Sequence, residues 1–484
     1  MIFEILAKKD FTFTKTFYYD NQTNILKDDD GIVIEAPSYE EPIKFDTTPI
    51  VPFDKNTPLK KSKLITHLKI QMGLSCNYSC DYCSQKFVER PPETNKKDID
   101  AFLQKLEVLE FEETKGLLIE FWGGEPFVYW KTFKPLAEAL QEKFADWKTP
   151  PKFSVITNGS ILTKEICAWL YYMNFSVSIS HDGPGQSARG PDPFEDEQNK
   201  KIVMDLYKVL RPTGRISFNS MMNTKNQSRK AVRDWFINFT GDPNVILAEG
   251  HMVDAYDEDG LSNSLQTKKD HFQYRRKALS DILETETLNN NSMLLQKVNT
   301  FIDDVLYHKP ADIVGQKCGM DSETTLAIDM KGNVLTCQNV SAVETGMNGE
   351  SHLGGNLDNY DDVRVKTATH WKNRKECSSC PVLHLCKGSC MFLDGKYWEH
   401  TCNNAYSDNV VFFSAAFMML TKGYIPVMIR GEVLPLDRQD VWGELYKHEE
   451  EPKKKVIPIK VISEKIGTIN NVEVYGKSKV EELM

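Results

Sequence analysis

The stretch GLSCNYSCDYCSQKF, residues 73–87, places Cys76, Cys80 and Cys83 in one short run. Gaps of three and then two residues let a single loop bring three thiolates to one point, and thiolates are metal ligands. Structural zinc is almost always closed by four ligands, so a zinc reading needs a fourth Cys or His nearby. The next cysteine, Cys167 in ICAWLYYM, has the setting of a buried helix residue. Three thiolates in one loop suit a [4Fe-4S] cluster that keeps one iron open, because such clusters are held by Cys thiolates. A second array follows much later: Cys318, Cys337, Cys377, Cys380, Cys386, Cys390 and Cys402. Zinc there would have to recruit His384 or His400, since seven thiolates do not close two four-cysteine centres.

The elements that must position these thiols alternate. From about Leu64, LITHLKIQM, GLLIEFWGG, KFSVITNG, FSVSIS, GRISFNSMM and NVILAEGHM have strand character. Between and after them, KKDIDAFLQKLEVLEF, WKTFKPLAEALQEKF, KEICAWLYYM, QNKKIVMDLYKVL, KAVRDWFINF and KKDHFQYRRKALSDIL have helix character. This alternation predicts right-handed crossovers and a parallel sheet, an α/β fold of the partial (β/α)6 barrel kind. Chemistry in such a sheet gathers at the C-terminal strand ends. The cysteine loop follows the first strand, Gly123-Gly124-Glu125-Pro126 the second and Thr157-Asn158-Gly159 the third, so the three should share one mouth.

Four segments are expected: a β-rich lead-in over 1–64, the barrel over 65–309, a small cysteine-rich domain over 310–402 and an extension over 403–484. FTFTKTFYYD and GIVIEAP read as strands of the lead-in. In the extension, NVVFFSAAFMMLTKGY reads as an apolar helix, PVMIRGEVLPL as a strand, and Glu449 to Lys455 as a solvated charged linker.

With 484 residues, 40% of them hydrophobic, the chain can bury one large core or two to three domains. A net charge of -10 without a basic block lacks the footprint of a nucleic-acid binder. No apolar run approaches the roughly 18 residues of a membrane span, and the first residues have no secretory pattern. The expectation is a cytoplasmic protein, where a reducing environment keeps thiols free for metal.

The C-x3-C-x2-C spacing of Cys76, Cys80 and Cys83, with the aromatic Tyr82 before the third, resembles the signature of the radical SAM superfamily. The resemblance implies that S-adenosylmethionine (SAM) chelates the open iron. Its reductive cleavage then gives a 5′-deoxyadenosyl radical that abstracts a substrate hydrogen. Gly123 and Gly124 would let the backbone approach the methionyl end, with Glu125 accepting a hydrogen bond from its ammonium. Asn158 and Ser180 stand where such proteins place ribose and carboxylate contacts, and Arg189 and Asn219 are further ligands by the same resemblance. The ordinary alternatives are turn chemistry at Asn158-Gly159 and Asp182-Gly183-Pro184, and a solvated loop charge at Arg189.

Cys318, thirteen residues, Gly332, four residues, Cys337, then Cys377-x2-Cys380-x5-Cys386-x3-Cys390 and Cys402 resembles the SPASM extension of that superfamily. It implies two auxiliary [4Fe-4S] clusters, three clusters in all. Cys318, Cys337 and Cys390 would hold the nearer auxiliary cluster, and Cys377, Cys380, Cys386 and Cys402 the farther. Seven ligands instead of eight leave an iron of the nearer cluster open or capped by another group. Gly332 would turn an IDMKGNVLTC hairpin that presents Cys337. Gln338 follows Cys337 where sulfatase-maturing relatives carry an aspartate base.

The implied function is maturation of a ribosomally made precursor peptide by oxidative cross-linking, of the C–C cyclophane or thioether type, with electrons from a flavodoxin- or ferredoxin-type donor. A sulfatase-maturase-like dehydrogenation of Ser or Cys is the alternative reaction. An iron-sulfur electron carrier or a zinc-binding interaction module is the alternative of another class. Residues 1–64 do not read as a winged-helix leader binder. Leader recognition then falls to the lead-in, the C-terminal segment or a separate leader-binding protein, with strand addition to a sheet edge as one mode.

Overall fold

The computed structural model describes residues 1–444 apart from 11, 38–42, 87, 92, 94, 285–291, 347–348 and 367, and the backbone of 460–462, 465–469, 472–475 and 479–481. The charged run 449–455 lies outside the described residues. The lead-in forms β1 (Ile2–Lys9), β2 (Phe13–Asp20) and β3 (Ile25–Asp28), all antiparallel. GIVIEAP is not a strand. It makes only the isolated bridge Lys27–Val33, because its Asp-Gly turn folds it back on β3.

After β4 (Leu59–Lys60) the expected alternation is present. It runs β5 (His67–Gln71), α1 (Ile99–Lys105), β6 (Leu118–Trp122), α2 (Trp130–Lys143), β7 (Lys152–Thr157) and α3 (Lys164–Tyr172). It continues β8 (Ser176–Ser180), α4 (Glu197–Leu210), β9 (Ile216–Met222), α5 (Arg229–Thr240), β10 (Leu247–Met252) and the helix Lys268–Leu283. Thr163, Asp196 and Ser228 cap α3, α4 and α5, each accepting from a backbone N–H of the first turn. The six strands are parallel in the order β10-β9-β8-β7-β6-β5.

Their outer face is apolar and packs on the helices: Phe121 of β6 lies 4.6 Å from Phe133 of α2, and Phe175 adds an edge-on ring to Phe133 at 5.8 Å. The inner face is polar. His67 Nε2 and Glu120 Oε2 are 2.8 Å apart, Ser217 Oγ donates to Ser178 Oγ at 3.2 Å, and Lys69 Nζ stands 5.7 Å from the Trp122 ring centre. A parallel sheet buried on both faces reads as continuously apolar, so this alternation marks a lumen.

The cysteine-rich segment does not stand apart from the barrel sheet. Its β11 (Thr325–Asp329) pairs in parallel with β5, in register Thr325 to His67, and antiparallel with β12 (Asn333–Leu335), which pairs with β13 (Leu353–Asn356). The sheet thereby reaches nine strands. Gly332, at φ 79°, closes the β11–β12 turn with its N–H on Asp329 O at 3.0 Å. β14 (Arg364–Val365) pairs with β4. The apolar helix Gly395–Leu420 then leads to β15 (Ile425–Arg430), which pairs with β1 in register Arg430 to Glu4.

The lead-in and the end of the apolar helix thus share one sheet, ordered β15-β1-β2-β3. Its edges are covered by the chain itself, β3 by the Ile34 N–H to Leu26 O bond at 2.8 Å and β15 by Val441 N–H to Val427 O at 3.2 Å. Residues Gly443–Met484 make a second unit, whose described backbone forms two antiparallel pairs, 460–462 with 479–481 and 465–469 with 472–475. Among the described residues no helix is long and apolar enough to cross a membrane.

Candidate active site

Cys76, Cys80 and Cys83 lie in the loop after β5, all half-buried, and Cys83 and Cys76, when ionised, would each add to the rise of the Cys80 thiol. Burial pushes the Cys80 thiol up to about 11, with Arg189 opposing. Ligation requires thiolates, so a metal must supply the charge that burial withholds. The ends of β7 and β8 hold the loop. Asn77 donates to Ser160 Oγ at 2.8 Å and accepts from Asn158 Nδ2 at 2.9 Å, while Asp81 N–H donates to Ala188 O at 2.9 Å and Tyr78 Oη to Pro191 O at 2.8 Å.

The Gly-Gly-Glu turn docks along the chain entering this loop. Gly124 N–H donates to Gly73 O at 3.1 Å and Glu125 N–H to Ser75 O at 3.0 Å. A Cβ on Gly123 would stand 2.4 Å from Gly73 O, and one on Gly124 2.4 Å from Ser75 O and 2.7 Å from Leu74 O. The glycines are therefore required by the protein's own backbone, before any cofactor is considered. Glu125 is 1% exposed and already holds three donors: Phe127 N–H at 3.1 Å, Thr157 Oγ1 at 2.9 Å and Asn158 N–H at 2.7 Å. Burial raises its pKa against those bonds. A carboxylate offers about four acceptor sites, so one remains for a ligand.

Arg189 is not a solvated charge. Its Nη1 donates to Tyr82 Oη at 3.1 Å and lies 3.7 Å from Asp182, a carboxylate with 0% exposure that accepts from Met221 N–H at 3.0 Å and from Tyr82 Oη. Burial pushes the Asp182 carboxyl up and Arg189 opposes it. Asp182 had been only a turn residue in the sequence. The Arg189 Nε is buried without a partner among the described residues, which leaves one donor for a ligand. Ser180 is buried at the end of β8, and Asn219 stands half-buried on the inner face of β9. Cys167 sits on α3, half-buried and away from both arrays, lining a groove with Tyr171 and Val209.

The second array divides into two groups by proximity. The Cys337 thiol is raised to about 12 by burial and by Cys318 and Cys390. Cys377 is raised far above the thiol range by burial and then by Cys386, Cys402 and Cys380. These four line one cavity of ≈ 340 Å³ with Val382, Leu383, Trp398 and Tyr406. His384 is not free to ligate: its Nδ1 accepts from Asn24 Nδ2 at 3.2 Å and its Nε2 donates to Asn21 O at 2.9 Å. His400 Nε2 is 2.5 Å from Ser264 Oγ. Asn21 also donates to Ser378 O and Cys380 O, so the lead-in holds this loop. Gln338 is buried beside Cys337, its Oε1 3.5 Å from that sulfur.

Residues 70–243 match the model of the radical SAM superfamily. They form a radical SAM domain. The radical SAM cyclopropyl synthase TigE of Paramaledivibacter caminithermalis is 23% identical over 356 residues, covering 69% of each protein. A cysteine-type anaerobic sulfatase-maturating enzyme of Clostridium perfringens is 22% identical over 338 residues, 65% of this chain and 85% of the relative. A solved structure described as native anSMEcpe with bound AdoMet and Cp18Cys peptide has a TM-score of 0.52 at 18% identity and covers 74% and 98% of the two chains, a likeness of fold.

The neighbouring thiols suit iron-sulfur ligation: the donors are sulfur, in sets of three, three and four, and half-buried or buried. They do not suit single zinc ions. Tetrahedral zinc at about 2.3 Å from each sulfur draws thiolates to about 3.8 Å apart. Among the described residues the only three Cys, His, Asp or Glu ligand atoms within 4.8 Å of one another belong to Asp28, Asp29 and Asp30 of the lead-in. One test of the backbone cradle is Gly124→Ala. The added methyl must push the 74–75 carbonyls and the cysteine loop aside, so the variant should fold with near wild-type helix content yet lose at least about tenfold in SAM affinity, about 1.4 kcal/mol. Equilibrium dialysis with labelled SAM reads it, and unchanged affinity would show that the cradle tolerates a side chain.

Proposed function

We propose that this radical SAM enzyme modifies a ribosomally made peptide, joining two of its side chains with net loss of two hydrogen atoms, and that it holds three [4Fe-4S] clusters. The observation that carries the reading is the continuity of the sheet: β11, next to β5, sets the nearer thiol group beside the mouth where the SAM-type cysteine loop stands. Gln71 at the end of β5 fixes this by donating to Gln338 O and Val340 O, both at 2.7 Å. When bound, SAM would supply hydrogen-abstracting radical chemistry, and clusters held by the second cysteine array would offer an acceptor for the second electron. The chain's own part is to place both at one polar lumen. Cys76, Cys80 and Cys83 hold the first cluster, Glu125, Asn158, Ser180, Arg189 and Asn219 the cofactor, and His67, Lys69, Glu120 and Trp122 face the substrate space.

A second reading, dehydrogenation of a Ser or Cys residue, is favoured by one observation. Burial and then the charge of Asp254, beyond β10, raise the Cys390 thiol, and Asp254 lies 3.5 Å from Ser389 Oγ, so a carboxylate does face the nearer group. Gln338, an amide, cannot take a proton as a base. Anaerobic reconstitution with dithionite and SAM should give about twelve irons per chain and 5′-deoxyadenosine. With the short peptide encoded beside the gene, the product should be lighter by two hydrogens and carry a new inter-residue link in fragment spectra. A hydrazide-reactive aldehyde would instead establish the second reading, and SAM cleavage with no altered peptide would sink both. The backbone bonds made by both edges of the β15-β1-β2-β3 sheet support a reading in which the leader is recognised by a separate protein or another surface.

A further inference from the structure

One sulfur of the farther thiol group receives a charged hydrogen bond from outside the cysteine array. Arg438 lies on the one-turn helix Leu436–Gln439 beyond β15, and its Nη2 donates to Cys402 Sγ at 3.3 Å and to Asn403 Oδ1 at 2.7 Å. It is 8% exposed and lines the cavity shared by Cys377, Cys380, Cys386 and Cys402. Its place is fixed on several sides. The guanidinium stands 5.0 Å from the Tyr406 ring centre, Tyr406 Oη donates to Arg438 O at 2.6 Å, and Arg275 donates to Asp437 O at 3.0 Å and Val441 O at 3.3 Å. Lys297 and Lys317 line the adjoining cavity, which Cys386 also borders.

The nearer group is treated differently. Its Cys390 sulfur accepts from a neutral hydroxyl, Tyr256 Oη, at 3.3 Å, and the carboxylate of Asp254 stands close by. Hydrogen bonds to ligand sulfurs and nearby positive charge favour the reduced, more negative form of a cluster, and so raise its potential. Nearby negative charge does the reverse. Resting on the cluster assignment above, we propose that Arg438 is a positioning residue that raises the reduction potential of the farther cluster above that of the nearer.

The test is a redox titration of the reconstituted full chain, followed by electron paramagnetic resonance, in wild type, Arg438→Met, Arg438→Gln and Arg438→Lys. With wild-type iron content, Arg438→Met should move one midpoint to more negative potential by at least about 59 mV, a tenfold change in the oxidised-to-reduced ratio for one electron, and leave the others in place. Arg438→Lys should fall between the two. If Arg438→Met binds less iron, Arg438→Gln, which keeps a donor without the charge, is read in its place. An unmoved midpoint at full iron content overturns the proposal, and loss of about four irons in both neutral variants overturns it in favour of a purely structural role. Failure of the cluster assignment is distinct: wild-type protein would then hold only about four irons.

Discussion

Cys80→Ala protein is expected to lose SAM cleavage by at least about a thousandfold, equivalent to about 4 kcal/mol, and, on the proposed content of three clusters, to keep about eight of about twelve irons. The substitution removes a sulfur and little else. The loop's backbone bonds, Cys83 N–H to Cys80 O at 3.1 Å and Asp81 N–H to Ala188 O at 2.9 Å, do not use the side chain. Two thiolates, Cys76 and Cys83, do not hold a four-iron core whose open iron must also take the cofactor. The other two thiol groups share no residue with this loop, so their iron should stay. Iron analysis together with chromatography of 5′-deoxyadenosine reads both halves of the expectation. Full cleavage by the variant would remove the loop from the chemistry, and loss of all iron would show that the three groups load as one.

The second large effect is on stability. Asp408→Ala should destabilise the fold by about 3–5 kcal/mol, a large part of the 5–15 kcal/mol typical of a native protein. Asp408, on the apolar helix, accepts from Arg229 Nη2 of α5 at 2.5 Å and from Tyr274 Oη at 2.6 Å, and Lys297 Nζ stands 3.8 Å from its other oxygen. Asp408 and Arg229 are both 1% exposed. Without the carboxylate, the buried Arg229 and the half-buried Lys297 are left facing each other as like charges. Burial alone would raise the Asp408 pKa, but Arg229 and Lys297 overcome it and hold the carboxyl well below the ordinary range. A folded-state pKa below the unfolded value of about 3.9 means the contribution is fully present above pH 4 and is lost as pH falls through the depressed value. The gap in thermal midpoint between wild type and Asp408→Asn should therefore be flat from about pH 7 to pH 5 and narrow below about pH 4. A gap that widens with acid would rule out the ion pair as its cause.

The strand and helix alternation of residues 64–284 was legible because apolar periodicity is local. The run of cysteines in one loop was legible for the same reason, since its spacing is local. Pairings between distant segments were not legible, since the apolar residues of β11 or β15 do not name β5 or β1 as partners. The same holds for Asp182, whose Asp-Gly-Pro setting is that of any turn, and for Arg438, which touches Cys402 only once the apolar helix has folded back. The Gly-Gly-Glu turn was located correctly from the sequence, but the close approach of residues 73–75, which makes its glycines necessary, belongs to the tertiary structure.

The sheet shared by β1 and β15 also has a consequence in time. Synthesis at about 5–20 residues per second separates residue 4 from its partner Arg430 by tens of seconds. Throughout that interval β1 is an open strand edge, the kind of surface that pairs wrongly with other chains. The residues that clamp the farther thiol group come from both sides of the delay, Asn21 and Asn24 early and Arg438 late. That group can be closed only after β15 has left the ribosome, so a chain interrupted before residue 438 should accumulate as an aggregation-prone species with one thiol group unguarded.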